Sequence, residues 1–137
     1  MNSFINISEA STIAFHSMAL LSKSEKGMSA KKLAEITKFS VNHLSKILHI
    51  LTRNQYLKSL RGPFGGFVLV KDPETISLYE IYKVIEGELN NFECTITCDD
   101  CYFETCLFGD QPHEFNDNFK SYLKLKTLND VKLNRAI

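Results

Sequence analysis

The 137-residue sequence lacks any apolar run that approaches the roughly 20 residues of a membrane-spanning helix. Its N-terminus also lacks the pattern of a secretory signal peptide. Repeats, low-complexity tracts and flexible linkers are missing too, and 44% of the residues are hydrophobic, enough for a real core. These features exclude a membrane protein and a disordered chain, so we expect one soluble, cytoplasmic domain.

Enzyme motifs are also missing. We find no pairing of a nucleophile with a general base, no phosphate-binding loop and no substrate-binding motif. The sequence therefore predicts a protein that is not an enzyme, with a catalytic or electron-transfer role for its cysteines as the weaker alternative.

The chain has no net charge, because its 16 basic and 16 acidic residues cancel, but positive and negative side chains are segregated along the sequence. Between residues 31 and 61 the only acid is Glu35, and between 72 and 118 the only basic residue is Lys83. A basic block on a neutral chain indicates a polyanion-binding surface, although a merely solvated surface is the alternative. The block contains Lys31, Lys32, Lys38, Lys46, Arg53, Lys58 and Arg61.

Apolar spacing and capping residues predict a mostly helical fold with one small hairpin. Leu44, Ile47, Leu48 and Leu51 follow the i, i+3, i+4, i+7 spacing of an amphipathic helix. The glycines and proline of residues 62–66 predict a tight turn between two strands. We predict helices over 9–22, 30–37, from about 40–42 through Leu51, 78–87 and 112–126, strands over 56–60 and 67–70, and a short helix from Thr127.

Two short helices joined by the turn at residues 38–40, followed by a hairpin, are typical of a winged helix-turn-helix. The second helix would enter the major groove of double-stranded DNA with Asn42, His43 and Lys46 facing the bases or phosphates. Arg61, at the root of the wing, can reach a minor groove. A winged helix used only for protein contacts is the alternative. The predicted DNA-binding residues are Ser40, Asn42, His43, Lys46, Arg61, Gly62, Gly65 and Gly66.

All four cysteines lie within thirteen residues, with the spacing C-x3-C-x2-C-x4-C. Thiolates are soft ligands that suit iron–sulfur clusters and zinc. In a reducing cytoplasm, clustered cysteines indicate metal binding or redox sensing more often than structural disulfides. Three possibilities stay open: an iron–sulfur cluster, a zinc site, and a metal-free thiol switch. The cysteines are Cys94, Cys98, Cys101 and Cys106.

Several of these motifs together resemble the IscR/NsrR/CymR-type family of bacterial regulators. The matching residues are Leu44-Ser45-Lys46-Ile47-Leu48, then Leu51, Tyr56-Leu57 and Arg61-Gly62-Pro63-Phe64-Gly65-Gly66-Phe67, followed by the helix from Ile81 to Glu86, the cysteine loop and a long helix. The resemblance covers nearly the whole chain. It implies a homodimer joined through the long C-terminal helix, recognition positions at Asn42, His43 and Lys46, and a wing arginine at Arg61.

The resemblance also implies an iron–sulfur cluster held by three loop cysteines and a fourth ligand from elsewhere. Cys94, Cys101 and Cys106 best match the three cysteines, with Cys98 as an addition. The last interval is short, and Gly109 stands where some relatives have a histidine. The fourth ligand is therefore open, and the candidates are Cys98, a side chain from the N-terminal helix of a second protomer such as Glu9 or His16, and, more weakly, His113.

Among these candidates the resemblance favours His16, for which an ordinary hydrogen bond is the alternative. We therefore predict a winged helix-turn-helix in residues 1–75, and a sensor loop with a dimerisation helix in residues 76–137. The predicted function is transcription regulation in which an iron–sulfur cluster in the loop controls operator affinity. A metal-free redox switch or a regulator with structural zinc is the alternative.

Overall fold

A computed structural model describes residues 7–91 and 93–137 of the chain. The first six residues of the predicted DNA-binding region, and Phe92 of the cysteine loop, lie outside the described part. Each predicted helix and strand is present, with ends within about two residues of the prediction, and a short 3-10 turn at Pro73–Thr75 is additional. The helices are α1 (Glu9–Ser22), α2 (Ala30–Thr37), α3 (Val41–Arg53), α4 (Leu78–Glu86) and α5 (Gln111–Leu125); the strands are β1 (Leu57–Leu60) and β2 (Gly66–Leu69).

Serine side chains begin four of the helices. The hydroxyl oxygens of Ser8, Ser29, Ser40 and Ser77 each accept a hydrogen bond from a backbone amide three residues ahead, at 3.1–3.2 Å. At α4 the Glu80 carboxylate also accepts from the Ser77 amide at 2.8 Å, which completes a capping box. Each cap contributes about 1 kcal/mol to helix stability and sets the residue at which the helix begins.

The main hydrophobic core joins α1, α2, α3 and the wing to residues from the second half of the chain. Leu44, Leu48 and Leu51 of α3 are completely buried, as the apolar spacing predicts. Ile76, Ile81 and Leu128 are equally buried in the same cluster. A backbone bridge between Ser77 and Thr127 brings the segment after α5 back to the start of α4. Both halves of the chain therefore share one core.

A second, smaller cluster lies between α4 and α5. It contains Tyr79, Tyr82, Leu89 and Leu123, with the Phe119 ring packed edge-on against Tyr82 at 6.0 Å. Leu89 is the first buried residue beyond α4, so this cluster fixes the start of the long loop that carries the cysteines. None of the helices in residues 7–91 and 93–137 has the length and hydropathy of a membrane span.

The wing is a two-stranded antiparallel hairpin with a close backbone neighbour. Leu57 pairs with Leu69 and Leu60 pairs with Gly66. Met28, in the connection between α1 and α2, bridges Phe67 through two backbone hydrogen bonds of 2.8 and 3.1 Å. A Cβ atom at Gly66 would lie 2.5 Å from the carbonyl carbon and oxygen of Met28. Glycine is therefore required at this position by packing within the protein.

Gly66→Ala should destabilise the fold because the added methyl group forces the wing away from the Met28 backbone. We expect a loss of roughly 2–3 kcal/mol, typical of overpacking, and a fall in Tm of about 6–15 °C. Thermal unfolding followed by circular dichroism measures this. Ser59→Ala, at an exposed position of the same hairpin, is the control, and an equal Tm for the two variants would contradict the packing role of Gly66.

Candidate nucleic-acid interface and cysteine loop

The first two turns of α3 present polar side chains on the side opposite the core. Asn42 and Lys46 are exposed, and the His43 side chain retains 37% of its accessible surface. Leu44, which lies between His43 and Lys46 in sequence, and Ile47, which follows Lys46 directly, are buried. Helical periodicity therefore separates a core face from a polar face, and that polar face has the size and chemistry to enter a major groove.

Ser40 and His43 each have a partner within the protein. The Ser40 hydroxyl oxygen caps α3 by accepting from the His43 amide at 3.1 Å, while its own proton stays available to a phosphate oxygen. Glu9, in the first turn of α1, places a carboxylate oxygen 3.6 Å from His43 Nδ1. Sequence reasoning missed this contact between Glu9 and His43, and no local pattern signals it because the residues lie on different helices.

Arg61 lies in the turn of the hairpin and not at its root, because β1 ends at Leu60 and the turn spans residues 61–65. The predicted position at the root is therefore wrong. The guanidinium is carried at the distal end of the wing, where it is exposed. Gly62 follows with a φ of 104°, a conformation that favours glycine. Phe64, also in this turn, is 94% exposed, and sequence reasoning did not single it out.

Gly65 has a structural role in this turn. Its amide donates to the carbonyl oxygen of Gly62 at 2.9 Å, and a Cβ atom there would lie 2.5 Å from the carbonyl oxygen of Leu60. Like Gly66, it is small because protein backbone packs against it. These contacts shape the wing, and a role of either glycine in DNA binding stays a prediction.

The four cysteines lie in the loop between α4 and α5, and all are exposed and free. Within residues 7–91 and 93–137, no three His, Cys, Asp or Glu side chains are arranged to hold a metal ion. Short local bonds shape the loop, such as those from Asp100 to Thr97 and from Gly109 to Cys106. The donor set suits a soft metal or cluster, but the loop as described does not bring the donors together.

His16, the favoured outside ligand, is exposed on α1. Its Nδ1 lies 2.7 Å from the Thr12 carbonyl oxygen, and its ring packs edge-on against Phe39 in the turn before α3. The ordinary hydrogen bond offered as the alternative is therefore present. Nε2 is the ring nitrogen left for another ligand, so the contact with Thr12 does not decide between the two roles.

The end of α4 is tied both to the cysteine loop and to α1. Beyond the helix, Glu88 accepts from the Tyr79 hydroxyl and pairs with Lys83 Nζ, each at 2.7 Å. The Lys83 ammonium, followed by the Tyr79 hydroxyl, holds the pKa of Glu88 below its usual value. Within the helix, Glu86 accepts from the Ser8 amide at 3.2 Å and from the hydroxyls of Ser8 and Ser11. The cysteine loop therefore begins directly after α4, a helix whose C-terminal end is hydrogen-bonded to α1.

A stripe of apolar side chains stays exposed on α5, beside the face that packs on α4. Phe115 and Tyr122 are each 54% exposed, and Leu125 is 81% exposed. Together with the polar Asn118, these three apolar residues follow the alternating three- and four-residue spacing of a helix-packing seam. We call these four residues the α5 stripe.

A helix-turn-helix with a polar recognition face and an arginine-bearing hairpin defines a winged-helix DNA-binding protein. The model of the Rrf2 family, described as iron-dependent transcriptional regulators, matches residues 7–133. The chain therefore belongs to the Rrf2 family. As predicted, it is a transcription regulator and not an enzyme.

Individual relatives agree with this assignment. The chain is 33% identical over 110 residues to the HTH-type transcriptional regulator NsrR of Shouchella clausii, covering 77% of this chain and 72% of that protein. It superposes on CymR, the global cysteine regulator of B. subtilis, with a TM-score of 0.76 and 26% identity, covering 92% and 95% of the two chains. T. potens IscR shares the fold, with a TM-score of 0.72, 23% identity and coverage of 92% and 85%.

Proposed function

We propose that this protein is a homodimeric regulator whose affinity for operator DNA depends on the state of the cysteine loop. The observation that carries the proposal is the placement of four exposed cysteines in one loop, between a helix fixed to α1 and the helix that bears the α5 stripe. The family description, which names iron-dependent regulators, supports an iron-containing ligand for these thiols.

An iron–sulfur cluster is the ligand that the four thiols and the family description together favour. Cys94, Cys101 and Cys106 would hold it, and Cys98 or His16 from a second protomer would complete the ligands. When bound, such a cluster supplies a centre whose charge and integrity respond to oxidation. The four thiols are exposed and unpaired, and can therefore reach a metal or cluster without breaking a disulfide.

The link from the loop to DNA runs through α4. A ligand that fixes the conformation of the loop would shift Glu88 and Leu89 at its start and α5 at its end. Glu86, two residues before Glu88, holds the N-terminus of α1 through Ser8 and Ser11. Because Glu9 of α1 lies against His43 of the recognition helix, a shift of α1 changes the position or freedom of that side chain.

Operator binding would use the polar face of α3 and the turn of the wing. Asn42, His43 and Lys46 would read bases or adjacent phosphates, and Ser40 would donate to a phosphate. Arg61 would enter a minor groove beside the recognition helix. Gly62, where no protein atom beyond its chain neighbours lies within 4 Å of a Cβ position, would let the backbone of the wing approach the DNA closely, and Gly65 and Gly66 would hold the shape of the turn that does so.

The dimer would form through the α5 stripe. Three large apolar side chains exposed on one helix suit burial against a second copy of the same helix. Two reading heads held about one DNA turn apart then recognise a two-fold symmetric operator. Selection from a pool of random duplexes, followed by sequencing, should enrich one such symmetric site, and a pool without enrichment would contradict sequence-specific binding.

Metal analysis tests the ligand. Protein purified without oxygen should contain iron and acid-labile sulfide in matching amounts and show visible absorption. Zinc without sulfide would indicate a structural or sensory zinc site instead of an iron–sulfur cluster. Absence of both metals would leave cysteine oxidation as the switch.

Cys101→Ser should abolish the visible absorption and most of the bound iron, because a serine hydroxyl is a poor substitute for a thiolate ligand. Cys98→Ser, in the same loop, tests the fourth ligand, and it should keep the chromophore if Cys98 is an addition to the ligand set. An unchanged spectrum in Cys101→Ser would exclude Cys101 as a ligand. Loss of the chromophore in Cys98→Ser would instead identify that residue as the fourth ligand.

A further inference from the structure

A groove of about 670 Å³ lies beside the wing, outside the proposed base-reading surface. Its walls come from three parts of the chain: the connection between α1 and α2 with the first turn of α2, the turn of the wing, and the segment after α5. Three lysines line it, Lys23, Lys26 and Lys32, and no acidic side chain does. Within the described part of the chain, none of these lysines forms an ion pair. We call this feature the lysine groove.

The lysine groove is continuous with the wing. Gly65 and Phe64 line the groove and also belong to the turn that carries Arg61. The bridge between Met28 and Phe67 fixes the groove wall to strand β2 through backbone hydrogen bonds. A polyanion that meets Arg61 at the turn can therefore extend into the groove without leaving the protein surface.

The groove is lined by lysines and apolar side chains, which suit the alternating phosphates and sugars of a DNA strand. Lysine ammonium groups suit phosphates, which attract them without regard to base sequence. Apolar walls suit deoxyribose, and the groove offers Met28, Leu133 and the exposed ring of Phe64. Proteins that bind the minor groove also use apolar side chains, such as Phe, Leu and Met, against the DNA.

We propose that the lysine groove is a second DNA-contact surface, which binds the sugar–phosphate backbone beyond the segment reached by the wing. Each reading head then has a sequence-reading part on α3 and a sequence-independent part in the groove. The proposal rests on the proposed DNA-binding function. It adds to that function a longer footprint and a steeper dependence of affinity on salt.

Salt dependence tests the proposal, because each phosphate neutralised adds about 0.9 to the slope of log K against log salt concentration. The probe is a fluorescein-labelled duplex of mixed sequence, about 40 base pairs long, titrated by anisotropy over roughly 50–250 mM KCl. The test variant of the full chain is K23Q/K26Q/K32Q. The variant K71Q/K120Q/K124Q loses the same charge elsewhere, and K23R/K26R/K32R keeps the charge of the groove.

We expect the slope of K23Q/K26Q/K32Q to be shallower by roughly 2–4 per dimer. Its affinity for the duplex should fall by about 10- to 100-fold near 100 mM salt. The control K71Q/K120Q/K124Q and the arginine variant should keep slopes close to that of the unmodified protein. An unchanged slope in K23Q/K26Q/K32Q, or an equal change in the two glutamine variants, would overturn the proposal.

Failure of the groove and failure of the proposed function give different results. If the groove does not bind DNA, the unmodified protein still selects a symmetric operator, and Arg61→Ala still weakens operator binding. In that case K23Q/K26Q/K32Q has the same affinity and slope as K71Q/K120Q/K124Q. If the protein does not bind DNA, no operator is enriched and no slope is measurable for the unmodified chain. That second result would overturn both proposals.

Discussion

Replacing Tyr122 and Leu125 with glutamine is expected to convert the proposed dimer into a monomer at micromolar concentration. Both side chains belong to the α5 stripe. A symmetric interface contains each of them once from each protomer, so the double variant removes four apolar side chains from the interface. At about 1 kcal/mol for each, the dimer should weaken about 10³-fold. Light scattering coupled to size-exclusion chromatography measures the mass directly.

The same variant should lose about 10²- to 10⁴-fold in operator affinity, because linking two reading heads makes the second binding event intramolecular. Lys124→Gln is the matched control. It lies between the two positions in sequence, but its ammonium faces the Tyr79 ring at 5.2 Å and so points toward α4. A double variant that stays dimeric, with a circular dichroism melt like that of the control, would show that the dimer uses another surface.

Arg61→Ala is expected to weaken operator binding by about 30- to 1000-fold, the second largest effect. The proposed dimer carries two copies of Arg61, and a charged contact to DNA of this kind contributes about 1–2 kcal/mol. The structure strengthens the expectation, because the side chain stands in the turn at the distal end of the wing and is exposed. Fluorescence anisotropy with the selected operator at physiological salt measures the change.

Two further variants separate the position of Arg61 from its charge. Arg53→Ala removes an exposed arginine of the same basic block at the C-terminal end of α3, and we expect less than a few-fold loss. Arg61→Lys keeps the charge but loses the planar guanidinium and should recover part of the affinity. Equal affinities for Arg61→Ala and Arg53→Ala would remove Arg61 from the proposed DNA-contact set.

The helices and strands of this protein could be predicted because their signals are local. A serine cap acts over three residues, and the apolar face of α3 repeats every three to four residues, so Ser29, Ser40 and Leu44 carry their information within one or two helical turns. The turn of the wing is equally local. The order of these elements was then enough to predict a winged helix-turn-helix.

For the cysteine loop, the sequence predicts the type of site but not the arrangement of its ligands. The spacing of the four thiols predicts a soft-metal or redox site, and the structure places all of them on one exposed loop. The arrangement of ligands around a metal does not follow from spacing, since it depends on the fold of the loop and on residues contributed from elsewhere. His16 and Cys98 therefore stay alternatives for the fourth ligand.

By itself, the sequence determined the secondary structure, the winged-helix class and the residue types available for DNA and metal. Only the tertiary structure decided which distant residues meet: Glu9 with His43, Glu86 with Ser8, and Met28 with Phe67. It also decided that Arg61 stands at the distal end of the wing and that three lysines share one groove. The physical reason is that helix periodicity and capping depend on neighbours in sequence, whereas these contacts form only when the shared core fixes separate elements together.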